Sequence, residues 1–205
     1  MSSRARRRPP SEQRHSMRVL FLRHGESAHN AHTGEERLSN EQGDLLTERG
    51  RNQAEAAGAG LRGRGVTRLL TSPMRRATET AEAIGAALGL EAEPIPYTFE
   101  FHHGEDLGEA LARVQLLKAR FEAEAEADGD LPLLVTHGLF TRFFLLDSIL
   151  GEAFTELPLE RVWHLASSNC ALTTFLRGEV REPGGAPAAV GWSCLTWMER
   201  PWDLP

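Results

Sequence analysis

The sequence predicts an α/β domain built on a mostly parallel sheet. Two apolar runs, VLFL at residues 19–22 and PLLV at residues 132–135, are continuous, as in strands that are buried on both faces of a sheet. Strand-like and helix-like segments alternate along the chain, which is the order expected when helices connect parallel strands. Hydrophobic residues at 40% and charged residues at 25% are ordinary for a globular domain, and 205 residues suit one domain.

The first half of the chain predicts two strands and two helices. A strand at MRVLFLR leads into HGES, and a polar loop covers residues 30–44. A helix is predicted within LLTERGRNQAEAAGAGL, with Thr47 as its N-cap and with Gly63 and Gly65 as terminators. A short strand at VTRLLT comes next, and RRATETAEAIGAAL predicts a helix closed by Gly89.

The second half predicts a further buried strand, two helices and two late strands. EAEPIPYTFEF is interrupted by proline, which favours a sheet edge or a loop. Apolar residues at helical spacing predict a helix over residues 107–121. LPLLVT predicts the buried strand, and LFTRFFLLDSIL a helix stopped by Gly151. RVWHLASSNCALTTFLRG and VGWSCLTWMERPW are interpreted as strands, with a turn at residues 167–169.

Charge and composition exclude several functional classes. The net charge of -6 argues against nucleic acid as a partner, although four arginines among the first eight residues leave a nucleic-acid-binding arm as an alternative. Residues 1–16 are basic and polar without an apolar segment, which predicts a disordered tail before a single domain at 17–205 and a cytoplasmic location. No apolar run approaches the roughly 20 residues of a membrane span. The oligomeric state is not predicted.

The two cysteines, Cys170 and Cys194, are too few for a disulfide framework and have no metal-like spacing. We expect buried or half-buried thiols.

Two histidines follow the two apolar runs at equivalent places. His24 and Gly25 end the first run, and His137 and Gly138 end the second. The carboxyl ends of neighbouring parallel strands open on one crevice, so we expect the two imidazoles to share a ligand site. The glycines would remove a side chain where a ligand must approach the backbone, and Gly138 would stand at a helix start whose amides favour an anion.

Arginines near these strand ends indicate that the anion is a phosphate. Arg23 precedes His24, and Arg75 and Arg76 follow the short middle strand. A guanidinium matches the oxygen geometry of a phosphate, and positive neighbours are expected to lower the pKa of His24, leaving one ring nitrogen unprotonated.

Four motifs in order resemble those of the histidine phosphatase (phosphoglycerate mutase-like) superfamily. LRHGESAHN resembles its Arg-His-Gly signature, and LLTERGRNQAEAAG its Leu-Thr-x-x-Gly-x-x-Gln-Ala helix start. LLTSPMRRATETA resembles its Ser-x-x-x-Arg-Ala segment, and LLVTHGLFTR its second His-Gly strand end. The resemblance covers roughly residues 18–175. It implies a three-layer α/β/α fold with a mostly parallel central sheet.

The resemblance also implies roles for individual residues. His24 would attack the phosphorus of a monoester, and Arg23, Arg76 and His137 would hold the phosphoryl oxygens. Arg76 is preferred over Arg75 because it directly precedes the alanine of the family pattern. Neither a metal nor a cofactor is expected.

Substrate-binding roles are implied for three further residues: Ser27, Asn30 and Gly138.

A leaving alkoxide needs a proton, so a carboxylic acid is expected near the scissile oxygen. Glu100 is preferred for this role because its position resembles the family's Leu-x-Glu, although Phe99 replaces the leucine. Glu105 stays open as the alternative, and it could instead be a favourable charge near a helix N-terminus.

The resulting hypothesis is a phosphatase that hydrolyses small phosphomonoesters through a phosphohistidine. The extra segments that close over the substrate in the mutase branch are not found, which favours transfer to water. Phosphotransfer of the phosphoglycerate mutase type and a non-catalytic domain that binds phosphorylated ligands are the alternatives.

Overall fold

The computed structural model describes residues 16–34, 38–102, 104–124, 129–180 and 189–203. The strands are β1 (Met17–Arg23), β2 (Arg68–Thr71), β3 (Ala92–Pro94), β4 (Pro132–Thr136), β5 (Leu172–Val180) and β6 (Ala189–Glu199). The α-helices are α1 (Ala28–Ala31), α2 (Asn40–Gly43), α3 (Glu48–Leu61), α4 (Arg75–Leu88), α5 (Leu107–Glu124) and α6 (Gly138–Leu150). The predicted tail lies outside the described residues except for Ser16, and residues 17–205 as one domain stay a prediction.

The strands form one sheet in the order β3-β2-β4-β1-β5-β6. The pairs β3–β2, β2–β4 and β4–β1 are parallel, whereas β5 is antiparallel to both of its neighbours. The predicted mostly parallel sheet is therefore confirmed. Because β1 pairs directly with β4, with Arg23 opposite Thr136, the two His-Gly segments leave the sheet side by side.

Helices cover both faces of the sheet and complete the three-layer α/β/α fold. Alternate residues of β1 point to opposite faces. Phe21 packs in a core with α5 and α6, and Leu22 packs in a second core with α3 and α4. The cores hold the carboxyl ends of β1, β2 and β4 in fixed register, and these ends carry the candidate site.

The predicted helix boundaries follow from local chemistry. Thr47 caps α3 by accepting a hydrogen bond from Gly50 N, as predicted. Gly89 ends α4 in the left-handed conformation, with φ of 71°. The strong helix predicted before Gly151 is α6.

The structure confirms one predicted strand and corrects another. The proline-containing segment supplies β3, a strand at the sheet edge, as predicted. RVWH was expected to be strand, but Leu159–His164 is a 3-10 helix that follows another over Gly151–Glu156. Pro158 precedes this turn, and Val162 alone within the segment is fully buried, a pattern that suits a short helix on the surface.

Both cysteines are free; Cys170 is buried and Cys194 half-buried, as expected. Among the described helices, none is both long enough and apolar enough to cross a membrane.

Candidate active site

His24 stands at the centre of the candidate site, directly after β1. Its backbone N–H donates to Thr136 O of the neighbouring strand end (2.9 Å), and its side chain is only 2% exposed. Nδ1 lies 2.7 Å from Gly25 O. A carbonyl oxygen only accepts, so Nδ1 carries the hydrogen of the neutral ring and Nε2 is unprotonated.

The surroundings keep this imidazole neutral. Burial is the largest cause that holds the pKa of His24 well below its usual range, and the charges of Arg76 and Arg23 add to it. The positive neighbours thus lower the pKa of His24, as expected, although burial lowers it more.

Arg76 faces the unprotonated nitrogen of His24. It lies in the first turn of α4, is 8% exposed, and donates from Nε to His24 Nε2 at 3.0 Å. Its Nη1 is ion-paired with Asp44, which also accepts from the backbone N–H of Arg75 (2.7 Å). Arg75 points outward, with its side chain 58% exposed and paired with Glu79.

His137 brings the second imidazole to the same place. It is completely buried at the N-cap of α6, and its ring centroid lies 5.2 Å from that of His24. Its Nε2 lies 2.7 Å from Ser72 Oγ. Burial, followed by the charge of His24, holds the pKa of His137 well below its usual range.

Four buried polar atoms at or near the candidate site have no hydrogen-bond partner among the described residues. They are Arg23 Nε, Ser27 Oγ, His137 Nδ1 and Ser167 Oγ. The Arg23 guanidinium is otherwise anchored, because Nη1 donates to Ser167 O at 2.5 Å. Buried donors of this kind normally have partners, so the crevice has spare capacity for an acceptor-rich ligand.

Glu100 occupies the start of α6. Its carboxylate accepts from Leu139 N (3.2 Å) and Phe140 N (3.1 Å) of the helix and from Phe101 N (3.0 Å). We expected the amides at the start of α6 to be open to a substrate anion. For Leu139 and Phe140 this is wrong, because their N–H groups already donate to Glu100. Gly138 alone stays a candidate contact there.

The proton affinity of Glu100 is raised by its environment. Burial raises its pKa above the usual value, and this outweighs the lowering by the three N–H donors and by the Arg76 charge. Oε1 accepts two of these hydrogen bonds and Oε2 one, so Oε2 is the oxygen better able to take a proton.

Glu105 has a different use. Its carboxylate forms a bidentate ion pair with Arg113, at 2.6 Å to Nε and 2.7 Å to Nη2. The same guanidinium donates to Phe99 O (2.8 Å) and lies over the Phe99 ring. Through this guanidinium, Glu105 helps to fix the segment that carries Glu100.

The glycines of the two His-Gly pairs, Gly25 and Gly138, have different surroundings. A Cβ on Gly138 would lie 2.9 Å from Ser167 Oγ and 3.5 Å from Arg23 Nε, inside the crevice. A Cβ on Gly25 would lie 2.5 Å from Gly50 O, a backbone atom of α3. The expectation that Gly25 makes room for a ligand is therefore wrong: it makes room for a helix.

Gly25→Ala is accordingly expected to lower stability. A backbone carbonyl cannot rotate away as a side chain can, so the added methyl should cost about 1–3 kcal/mol of the free energy of unfolding. Denaturant unfolding monitored by fluorescence checks this value. An unchanged unfolding midpoint would show that α3 yields to the methyl and that the close approach is unimportant.

Asn30 and Ser27 lie at the short helix α1, which follows His24. Asn30 Oδ1 accepts from Ser27 N (3.2 Å), and Ser27 is fully buried. Asn30 is exposed, and its Oδ1 also accepts a hydrogen bond from Asn169 Nδ2 at 3.1 Å.

Sequence reasoning missed three residues that organise the site: Asp44, Thr80 and Asn169. Thr80 Oγ1 accepts from Gly25 N (3.0 Å) and thereby ties the loop after His24 to α4. Thr80 lies in LLTSPMRRATETA, which resembles a family motif, but Asp44 and Asn169 lie in segments with no such pattern. Within the described residues, no group of three or more His, Cys, Asp or Glu side chains is arranged to hold a metal ion.

Comparisons with known proteins agree with this geometry. A sequence profile described as "Histidine phosphatase superfamily (branch 1)" matches residues 19–96, the segment that holds His24 and Arg76. The probable phosphoglycerate mutase GpmB of Yersinia enterocolitica is 27% identical over 223 aligned residues, covering 90% of this chain and 100% of the relative. Both matches support the histidine phosphatase superfamily, which the sequence motifs resemble.

Other relatives match part of the chain, and solved structures match its fold. The probable phosphoglycerate mutase GpmB of Salmonella typhi is 34% identical over 93 residues, which cover 45% of this chain and 40% of that relative. Among solved structures, a mycobacterial glucosyl-3-phosphoglycerate phosphatase has a TM-score of 0.66 at 22% identity, covering 90% and 99% of the two chains. A phosphoserine phosphatase mutant from Entamoeba histolytica has 0.65 at 16%, covering 91% and 99%. At these identities the structures show a shared fold.

Proposed function

We propose that this protein hydrolyses small phosphomonoesters through a phosphohistidine on His24. The observation that carries the proposal is the state of its ring: Nδ1 is committed to Gly25 O, and Nε2 is unprotonated beside a guanidinium. A neutral imidazole with a fixed tautomer is a competent nucleophile at neutral pH. Members of the superfamily named among the relatives are phosphatases or mutases, which agrees with phosphoryl chemistry at this centre.

The phosphoryl group would be held by the donors that surround His24. Arg23 and Arg76 supply positive charge, and Asn30 supplies a neutral amide. If Ser72 Oγ donates its hydrogen to His137 Nε2, then His137 Nδ1 carries the other hydrogen and can donate it to a phosphoryl oxygen. As the ester binds, its oxygens compete for the Arg76 N–H, which frees Nε2 for attack. These donors act where negative charge spreads in the transition state.

In the first step, the lone pair of His24 Nε2 forms a bond to phosphorus while the bond from phosphorus to the ester oxygen breaks. The departing oxygen takes the proton of Glu100, whose pKa is raised by burial. The alcohol leaves, and the enzyme holds a phosphohistidine and a Glu100 carboxylate.

In the second step, water attacks phosphorus and gives a proton to the Glu100 carboxylate. The bond from phosphorus to Nε2 breaks, and its electron pair returns to the ring. Inorganic phosphate leaves, and both His24 and Glu100 regain their starting protonation states. The sum is one ester and one water converted to one alcohol and one phosphate.

Phosphotransfer between positions of phosphoglycerate is the second candidate, since the Yersinia relative matched along its full length is named a probable mutase. The two are separated by incubating the protein with an aryl phosphate, and then with 3-phosphoglycerate in the presence and absence of 2,3-bisphosphoglycerate. Phosphate release without isomerisation supports hydrolysis, and isomerisation that depends on the bisphosphate supports the mutase. A screen over sugar phosphates, nucleotides, phosphoglycerates, phosphoserine and phosphopeptides then defines the substrate.

Glu100→Gln is expected to slow the hydrolysis of an ester more strongly, the more its leaving oxygen needs a proton. For an alkyl phosphate, kcat/KM should fall about 10²–10⁴-fold, whereas an aryl phosphate with a good leaving group should fall far less. The pH profile supplies a second readout. His24 is neutral above a pKa that lies well below 6.5, so the acid limb lies there. The alkaline limb for alkyl esters should follow the raised pKa of Glu100 and vanish in the glutamine variant.

Glu105→Gln is the matched comparison for that experiment. It breaks the ion pair with Arg113 and should lower the melting temperature without changing the ratio of alkyl to aryl rates. Equal slowing of both esters by Glu100→Gln would move the acid role to Glu105 or to another group.

A further inference from the structure

Asn169 joins the backbone of the nucleophile to the side chain of Asn30. Its Nδ2 donates to His24 O at 3.0 Å and to Asn30 Oδ1 at 3.1 Å, across a separation of 145 and 139 residues in the chain. Asn30 Oδ1 also accepts from Ser27 N at 3.2 Å. The Nδ2 atom of Asn169 thus connects His24, directly after β1, with Asn30 in α1.

The two backbone groups at the ends of this hydrogen-bond network, Ser27 N–H and His24 O, fix the direction of every hydrogen bond in it. Ser27 N–H can only donate, so the atom of Asn30 that faces it is the oxygen. His24 O can only accept, so the atom of Asn169 that faces it is the nitrogen. The two side-chain amides then fit each other without ambiguity, and Asn30 is left with its NH₂ group turned away from the network.

The loop that carries Asn169 is held rigidly. Side-chain donors from α6, β6 and β1 bind three consecutive carbonyls of the loop: Arg142 Nε to Leu165 O (2.7 Å), Trp197 Nε1 to Ala166 O (2.9 Å) and Arg23 Nη1 to Ser167 O (2.5 Å). The next residue after Asn169, Cys170, has φ of 53°, a left-handed conformation that is unfavourable for a side chain with a Cβ. This conformation lets Cys170 N–H donate to Arg23 O at 2.9 Å.

We propose that Asn169 is a positioning residue that orients the Asn30 amide so that its NH₂ group donates to the phosphoryl group. This inference rests on the proposed function, in which Asn30 contacts phosphate. His24 O serves as the anchor, and it keeps a second donor, Cys170 N at 3.3 Å, when Asn169 is removed. The effect of Asn169 therefore passes through Asn30. Asparagine suits the role because one NH₂ group supplies two hydrogens, one for each acceptor.

The test is a double-mutant cycle of Asn169→Ala and Asn30→Ala, with kcat/KM for an aryl phosphate and the dissociation constant of vanadate as readouts. Asn169→Ala should lower kcat/KM and weaken vanadate binding about tenfold in the wild-type background, the size of one lost hydrogen bond in a charged site. In the Asn30→Ala background, the same substitution should change either quantity less than about twofold. Equal factors in both backgrounds, or an unchanged Asn169→Ala variant, would overturn the proposal.

Asn169→Leu separates orientation from packing. Leucine fills nearly the same space as asparagine but has no donor and no charge, so orientation predicts a loss as large as that for alanine. A purely structural role predicts a smaller loss than for alanine, because a side chain of similar size preserves packing. The melting temperatures of both variants, together with Asn52→Ala at an exposed site on α3 as a matched control, report any general loss of structure.

Failure of the proposed function gives a different pattern. If the wild-type protein releases no phosphate from any ester but binds vanadate, hydrolysis is wrong, and the double-mutant cycle in vanadate binding still decides the role of Asn169. A wild-type protein that neither turns over esters nor binds vanadate overturns both proposals.

Discussion

Replacing His24 by alanine is expected to abolish phosphate release, with a loss of at least about 10³-fold in kcat. The reason is the position of Nε2, the unprotonated atom beside Arg76, whereas the Nε2 of the neighbouring His137 is engaged with Ser72. Steady-state phosphate release from an aryl phosphate measures the effect.

His164→Ala is the matched control, because this histidine is exposed in the 3-10 helix Leu159–His164 and should leave turnover unchanged. Near-native turnover in His24→Ala would contradict the proposed mechanism. A wild-type protein that binds phosphate and turns over no ester would instead favour the non-catalytic binding domain.

Arg76→Ala is expected to lower kcat by about 10²–10³-fold, the effect of losing one donor aimed at developing charge. Because a positive neighbour of His24 is removed, the pKa of His24 should rise and the acid limb of the pH profile should move to higher pH. Arg76→Lys separates the effect of the charge from that of the hydrogen bonds. Lysine keeps the positive charge, and so the low pKa of His24, but it loses the forked guanidinium that contacts both His24 and Asp44.

The adjacent Arg75 offers a matched control for that substitution. Its side chain is exposed and paired with Glu79, so Arg75→Ala should stay close to the wild-type rate. If Arg75→Ala were as slow as Arg76→Ala, or if Arg76→Ala kept the wild-type pH profile, the assignment of Arg76 to the site would be wrong.

Strands β1 and β4 could be predicted because their signals are local. Continuous apolar runs report burial on both faces, and each run ends in a histidine and a glycine. Register then follows from the parallel pairing of β1 with β4, which sets the two rings 5.2 Å apart.

Other features of the site depend on contacts between distant loops, which leave no periodic trace. Asp44 reaches Arg76 from the loop before α3, and Asn169 reaches His24 from the loop before β5. Gly25 shows the same limit in another way. Its sequence position suggested a ligand contact, but only the packed helix reveals that Gly50 O occupies the space.

The choice between Glu100 and Glu105 also needed three dimensions. Both follow the same proline-containing segment, and their local sequence does not separate a helix-start charge from a catalytic acid. The structure separates them by partner: Glu105 meets Arg113, whereas Glu100 meets backbone amides and is buried close enough to Arg76 for its charge to be felt.

The covalent intermediate offers the most direct measurement. The protein is mixed with a phosphomonoester, quenched in alkali within the first turnover, digested and examined by mass spectrometry. We predict one phosphoryl group on His24, stable in alkali and lost in acid, and absent from His24→Ala. A phosphoryl group on another residue, or rapid turnover with no phosphoenzyme at any quench time, would contradict nucleophilic catalysis by His24.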